Sequence, residues 1–198
     1  MISLGFLASN NGTSLRAIIW AIESGALAAE ARLVVSNRAA APALVFAREH
    51  SIPTRVIATA ANAEFADVAL ARALRDAGVE LVVLSGYLRR IGPRTLRAYQ
   101  NRILNIHPAL LPEFGGEGMY GRRVHEAVVA AGAARTGASV HLVDGQYDHG
   151  AVLARVEFPV LPGDTPESIE RRVMAVEPKL FIETLQRIAA GSLRLPGS

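Results

Sequence analysis

Apolar residues run through this chain in two alternating rhythms. Short, mainly apolar stretches at Ile2–Ala8, Leu33–Val35, Val56–Ile57, Leu81–Leu84 and Ile103–Ile106 read as strands buried in a sheet. Between them, apolar positions recur at helical spacing. Leu15, Ile18, Ile19 and Ile22 form one stripe, and Phe65, Leu70 and Leu74 another, with Asn62 placed to cap the second helix and Gly78 to end it. Pro42 and Pro93 suit the first turns of two further helices. Leu81-Val82-Val83-Leu84 has no polar position, which marks a central parallel strand covered on both faces. Strand and helix in alternation predict an α/β fold with right-handed crossovers, a Rossmann-like three-layer sandwich.

The pattern changes in the second half. His125 and Glu126 sit on a helix running to Ala131; Ala138–Val143 then alternates as a sixth strand and Val152–Phe158 follows as a seventh. The short Asp144–Gly150 connection makes these two an antiparallel hairpin on a mostly parallel seven-stranded sheet. Thr165, Pro166 and Glu167 start a last helix, predicted to break or bend at Pro178 and to end by Gly191. Residues 1–191 read as a single domain and residues 192–198 as a C-terminal tail, with no repeat or linker to divide the chain.

Bulk properties narrow the function classes. A chain of 198 residues, 51% of them hydrophobic, buries one full core. It has no cysteine, which removes disulfides, thiolate metal sites and cysteine nucleophiles, and suits the reducing cytoplasm. The apolar N-terminus is short, lacks basic residues and reads as a strand, and no later segment reads as a membrane span. The net charge of +3 comes from arginine, since Lys179 is the only lysine. These arginines are dispersed without interleaved aromatics, which argues against a nucleic-acid partner and for small anions, whose carboxylate or phosphate groups fit the guanidinium fork.

In such sheets ligands bind beyond the carboxyl ends of the strands. There Asn105 and His107 leave the fifth strand on one side by period two, and Asp148 lies near the hairpin tip. An amide can hold an oxyanion, an imidazole can move a proton, and a carboxylate can orient that imidazole. Taken singly, His107 is equally a histidine fixed before Pro108, and Asp148 a solvated turn aspartate. The Ser9–Ser14 turn, with Asn11, Gly12, Thr13 and Ser14 opening a helix, is either a phosphate cradle or an ordinary capped turn; it contains neither a full G-x-G-x-x-G nor a Walker motif. The glycine-rich segment Pro112–Gly121 is a lid or a flexible surface loop. The histidine spacing fits no metal-ligand pattern, so no metal is expected.

Together these residues resemble the folate-dependent formyltransferases. The likeness spans nearly the whole chain, through Ser9–Ser14, Val34–Arg38, Leu84–Arg89, Asn105-Ile-His107-Pro-Ala-Leu-Leu-Pro112, Gly137–His141 and Tyr147-Asp148-His-Gly150. It implies formyl transfer from 10-formyltetrahydrofolate, as co-substrate, to a primary amine, with glycinamide ribonucleotide the expected acceptor. Asn105 and a protonated His107 would stabilise the oxyanion while Asp148 keeps the imidazole cationic. Asn11, Gly12, Thr13 and Ser14 would take the acceptor's phosphate and Glu177 its ribose. Leu88, Arg89, Arg90, Val143 and Asp144 would enclose the folate. The partners implied are therefore small molecules, with the protein a monomer or homodimer.

Departures from the family pattern fall at Asn10 in the phosphate turn, at Met174 and Pro178 in the last helix, and at Ala63, where many members carry arginine. The same catalytic trio would serve formylation of an amino sugar nucleotide or hydrolysis of the formyl folate. Formylation of methionyl-tRNA needs a further C-terminal domain for which this chain leaves no room, and the hydrolases usually carry an N-terminal regulatory domain before the strand that here starts at Met1. A non-catalytic phosphate or nucleotide module is the reading from another class.

Overall fold

β1 (Ile2–Leu7) runs up the middle of a seven-stranded sheet ordered β3-β2-β1-β4-β5-β6-β7. Its partners are β2 (Ala29–Ser36), β3 (Thr54–Val56), β4 (Leu81–Leu84), β5 (Ile103–His107), β6 (Arg135–Leu142) and β7 (Val152–Pro159). The computed structural model describes residues 1–59 and 62–197. The first five strands pair in parallel; β6 runs antiparallel to β5, and β7 antiparallel to β6. This is the expected α/β sandwich with its hairpin.

Two apolar cores lie on opposite faces of the sheet, and β4 shows how one strand feeds both. Leu81 and Val83 join Leu4, Phe6 and Val34 in the first core, whereas Val82 and Leu84 join Leu7, Leu33 and Val35 in the second. A strand with apolar side chains on both faces can have no polar position, which is why its run is continuous. The first core is covered by α1 (Thr13–Glu23), α2 (Pro42–Glu49), α5 (Arg122–Ala130) and α6 (Pro166–Ala189). The second is covered by α3 (Ala63–Asp76) and α4 (Pro93–Ala98).

Several local expectations hold in detail. The Asn62 side chain accepts the Phe65 N–H at 2.9 Å, and Thr165 and Ser168 form a reciprocal capping box at the start of α6. Others need correction. Phe65 is not on the buried stripe of α3, which is formed by Ala66, Leu70, Ala73 and Leu74; it is 72% exposed. β3 lies earlier than Val56–Ile57, and β2 and β6 start earlier than their apolar runs.

α6 does not break at Pro178. The missing proline N–H costs only the partner of the Met174 carbonyl, and Met174 lies at the exposed side of the helix. Ile169 and Val173 before the proline, and Leu180, Phe181 and Leu185 after it, are all buried in the first core and hold both halves in line. The segment read as a tail is also docked: Leu195 is buried and the Pro196 carbonyl accepts Arg102 Nη1 at 3.2 Å. Ser198, the end of that segment, lies outside the described residues.

The crevice forms where β1 leaves one way to α1 and β2 while β4 lies on its other side. Loops cross it at close range. Ser9 N–H donates to the Gly86 carbonyl at 3.1 Å, and Leu88 N–H to Ser9 Oγ at 2.8 Å.

Candidate active site

The site begins with the pairing of β5 and β6. Asn105 and His107 share one side of β5, and across the antiparallel ladder they face His141 and Ser139. Ser139 Oγ donates to the Ala109 carbonyl at 2.9 Å and accepts the Leu111 N–H at 3.1 Å, which pins the turn that follows β5. His107 and His141 are both buried. The Nε2–H of His107 donates to the Phe114 carbonyl at 2.7 Å. His141 Nδ1–H donates to the Leu142 carbonyl at 2.9 Å, leaving Nε2 to accept from Asn105 Nδ2 at 3.1 Å.

The hairpin loop brings Asp148 onto these groups. Its Oδ2 lies 3.4 Å from His107 Nδ1 and accepts the Gly116 N–H at 3.1 Å, while Oδ1 lies 3.5 Å from His141 Nε2. Asp148 adopts φ 53°, a left-handed conformation that aspartate tolerates better than most residues. With its side chain 12% exposed, it is no solvated turn residue. Gly150 makes the approach possible, since a Cβ there would run into the Leu142 carbonyl. By holding the Gly116 N–H, Asp148 also tethers the glycine-rich segment over the site.

Burial dominates the electrostatics. It lowers the pKa of His107 from the ordinary histidine value, with Asp148 and the Phe114 carbonyl pulling the other way. The resting imidazole is therefore neutral at pH 7, whereas the family resemblance implies a cation. His141 and His125 are lowered by burial as well. His125, on α5, keeps a buried Nδ1 with no hydrogen-bond partner among the described residues. No described group of His, Asp and Glu is arranged as a metal site.

A cavity of about 120 Å³ opens from Asn105, His141 and Asp148. Arg89, Arg90, Val143 and Asp144 line it, together with Tyr87 and Ile91. Leu88 does not line it: its N–H is held by Ser9 and its side chain is 61% exposed. Arg90 Nη2 donates to the Gly145 carbonyl at 2.7 Å and so ties the loop after β4 to the hairpin. Burial pushes the Asp144 carboxyl up, but hydrogen bonds from His149 and the Gln146 N–H outweigh it and keep its pKa below the usual value. Tyr87, Arg89, Arg90, Ile91 and Gly145 also border a neighbouring cavity of about 820 Å³, so the small chamber continues into a large one.

The turn before α1 is not capped by a side chain. Gly12 stands at the N-cap with φ 65°, Leu15 N–H donates to Ser85 Oγ at 3.0 Å, and among the described residues the N–H groups of Thr13 and Ser14 have no partner. The Asn11 carbonyl accepts Arg16 Nε at 3.1 Å, and Asn10 Oδ1 accepts Arg38 Nη1 at 2.6 Å. Unpaired N–H donors at the positive end of a helix suit an anion. Glu177 lies on α6, which packs against α1, and burial pushes its pKa up to about 7.

Sequence reasoning thus identified Asn105, His107 and Asp148, which the fold brings together, and missed His141 and Ser139. Their signal was the alternation of β6, which puts residues 139 and 141 on the face that 105 and 107 occupy in β5.

A family model described as formyl transferase matches residues 3–185. Phosphoribosylglycinamide formyltransferase of Haemophilus influenzae is 34% identical over 198 residues, covering 98% of this chain and 91% of that protein. The chloroplastic phosphoribosylglycinamide formyltransferase of Arabidopsis thaliana is 37% identical over 93% of this chain, which spans only 64% of the plant protein's length. The crystal structure of glycinamide ribonucleotide transformylase 1 from Symbiobacterium toebii superposes with a TM-score of 0.89 at 36% identity, covering 100% of this chain and 92% of that one.

Proposed function

The chain belongs to the formyl transferase family, and on that premise we propose that it transfers the formyl group of 10-formyltetrahydrofolate to the amine of glycinamide ribonucleotide, a step of purine biosynthesis. The observation that carries this reading is that Asn105 and Asp148 line one cavity with Arg89 and Arg90, while buried His107 lies behind them with its Nδ1 3.4 Å from Asp148 Oδ2. The chamber walls combine apolar Leu84, Ile91 and Val143 with the Asp144–Asp148 loop, which suits a flat heterocycle with polar edges. Arg89, free of hydrogen bonds and ion pairs among the described residues, is available to a carboxylate at the other end of the folate.

The amine attacks the formyl carbon, and the bond between that carbon and folate N10 then breaks. Negative charge develops on the formyl oxygen, and the second Nδ2 hydrogen of Asn105, not used by His141, is available to receive it. The amine must lose one proton and N10 must gain one. His107 Nδ1 and Asp148 Oδ2, 3.4 Å apart with Nε2–H already committed to Phe114, form a place for that proton. His107 becomes cationic when the oxyanion forms and neutral again when the proton passes to N10. The buried neutral resting state is consistent with this cycle.

The N–H groups of Thr13 and Ser14 beside Asn11 and Gly12 are the proposed phosphate site, and Glu177 the proposed ribose contact. The same reading includes domain limits at residues 1–191, a cytoplasmic setting, and a monomer or homodimer; no helix of the described residues is long and apolar enough to cross a membrane.

Incubation with 10-formyltetrahydrofolate, with and without glycinamide ribonucleotide, tests the proposal. Deformylated folate should accumulate only with the amine. Accumulation without it would mean a hydrolase, and none under either condition would remove both readings.

A further inference from the structure

Ser9 stands where the two proposed halves of the site meet. It is buried, and its hydroxyl is used both as donor and as acceptor. Oγ donates to Asn37 Oδ1 at 2.6 Å, just past the end of β2, and accepts the Leu88 N–H at 2.8 Å, past the end of β4. It therefore bridges the end of β1 to both of that strand's neighbours in the sheet. A second serine makes the reverse link. Ser85 Oγ, also buried, accepts the Leu15 N–H at 3.0 Å, so the loop after β4 holds one N–H of the first turn of α1.

The two serines join segments with different proposed ligands. The turn before α1 is the proposed phosphate site, whereas the loop after β4 supplies Tyr87, Arg89, Arg90 and Ile91 to both cavities of the folate side. Toward β2 the turn is firmly tied, by Ser9 to Asn37 and by Asn10 Oδ1 to Arg38 Nη1 at 2.6 Å. A displacement of the turn is therefore resisted on that side and falls on its bonds to the loop after β4. That loop depends on them for its course, since Gly86 takes φ 67° and the exposed Leu88 side chain adds little packing. It also passes the constraint on, because Arg90 Nη2 holds the Gly145 carbonyl of the hairpin that carries Asp148.

We propose that Ser9 is a positioning residue that couples the two halves of the site, so that the acceptor and the folate tighten each other's binding. The proposal rests on the two-substrate reading given above. A ligand on the phosphate turn fixes Ser9 and, through it, the Leu88 backbone. The folate then meets a loop that is already ordered and binds at lower entropic cost, and by linkage the folate does the same for the acceptor.

Tetrahydrofolate and glycinamide ribonucleotide cannot react with each other, so their mutual effect is measurable at equilibrium by calorimetry. In wild type, saturating ribonucleotide should lower the Kd for tetrahydrofolate by about five- to twentyfold, and saturating tetrahydrofolate should lower that for the ribonucleotide by the same factor. The factor should fall toward one in Ser9→Ala and part of the way in Ser85→Ala. A role confined to the fold would weaken each ligand alone and leave the factor unchanged. A wild-type factor of one, or the same factor in Ser9→Ala, would overturn the proposal. Binding of one ligand only would refute the reading of the other half of the site. Hydrogen exchange then decides the coupling: the ligand that binds should slow amide exchange in residues 10–15 and in residues 86–90 of wild type, and in its own segment alone in Ser9→Ala. Binding of neither would remove the proposed function and the coupling together.

Discussion

Asn105 and His141 face each other across the β5–β6 pair, with the amide Nδ2 donating to the imidazole Nε2 at 3.1 Å. Because the Leu142 carbonyl holds His141 Nδ1–H at 2.9 Å, the ring can only accept at Nε2, and this fixes the Asn105 amide with its Nδ2 toward His141. The donor is thus oriented before any substrate arrives. Asn105→Ala should lower kcat by about 10²- to 10³-fold. His141→Ala should cost about ten- to a hundredfold through misplacement of the amide. The double variant should be no worse than Asn105→Ala, since both losses act through one group. Steady-state kinetics of the three proteins check this, and additive losses would show that His141 acts on its own.

Asp148 has two separable tasks. Asn at this position can still accept the Gly116 N–H but cannot hold a proton-loaded His107 by charge, so Asp148→Asn should reduce turnover by about 10²- to 10⁴-fold with the fold intact. Asp148→Ala loses the tether as well. Limited proteolysis should then cut within residues 115–121 faster in the Ala variant than in the Asn variant. Unchanged turnover in Asp148→Asn would exclude the residue from catalysis.

Much of this architecture is written in local patterns, because burial on both faces leaves β4 no polar position and Asn62 and Thr165 cap their helices with their own side chains. Asn105 and His107 were legible for the same reason: period two in one strand needs no knowledge of the neighbour. His141 was not. Its meaning depends on the register of β6 against β5, and register is a relationship between distant segments that neither segment carries alone. The course of α6 through Pro178 was hidden likewise, since the cost of a proline is local and the packing that outweighs it comes from other elements.

Gly150 sets how closely the hairpin returns to the sheet. Gly150→Ala places a Cβ against the Leu142 carbonyl, and relief requires moving the loop that carries Asp148. A loss of about 1–3 kcal/mol is expected, with a fall in turnover alongside the fall in Tm. Gly145→Ala, in the same loop with no atom near the added Cβ and no left-handed φ, should change neither. Equal thermal stability of the two variants would contradict the close approach.

Three buried histidines make stability depend on pH in one direction. His107, His125 and His141 all titrate below 6.5 in the folded chain, so the unfolded chain binds protons first as the pH falls. Their contribution is fully present above about 6.5 and is lost as the pH falls toward the folded values. Tm should therefore drop between about pH 7 and pH 5, and His125→Gln, which touches no proposed substrate contact, should make the drop shallower. A drop as steep in His125→Gln as in wild type would be incompatible with a neutral buried His125 imidazole.

Glu177 acts with the opposite sign. Burial raises its pKa from 4.5 to about 7, so its contribution to stability is present below 4.5 and is lost as the pH rises through about 7. Above that pH the carboxylate sits charged in a site that disfavours charge. Glu177→Gln removes the charge and keeps the shape, so the variant should melt higher than wild type at pH 8 and show no such gain at pH 4.5. An ionised carboxylate accepts hydrogen bonds from ribose hydroxyls better than its protonated form, so the wild-type KM for the ribonucleotide acceptor should fall as the pH rises through about 7. In Glu177→Gln that profile should be flat. A Tm difference independent of pH would mean that Glu177 is already ionised, and a flat wild-type KM profile would remove it from the acceptor site.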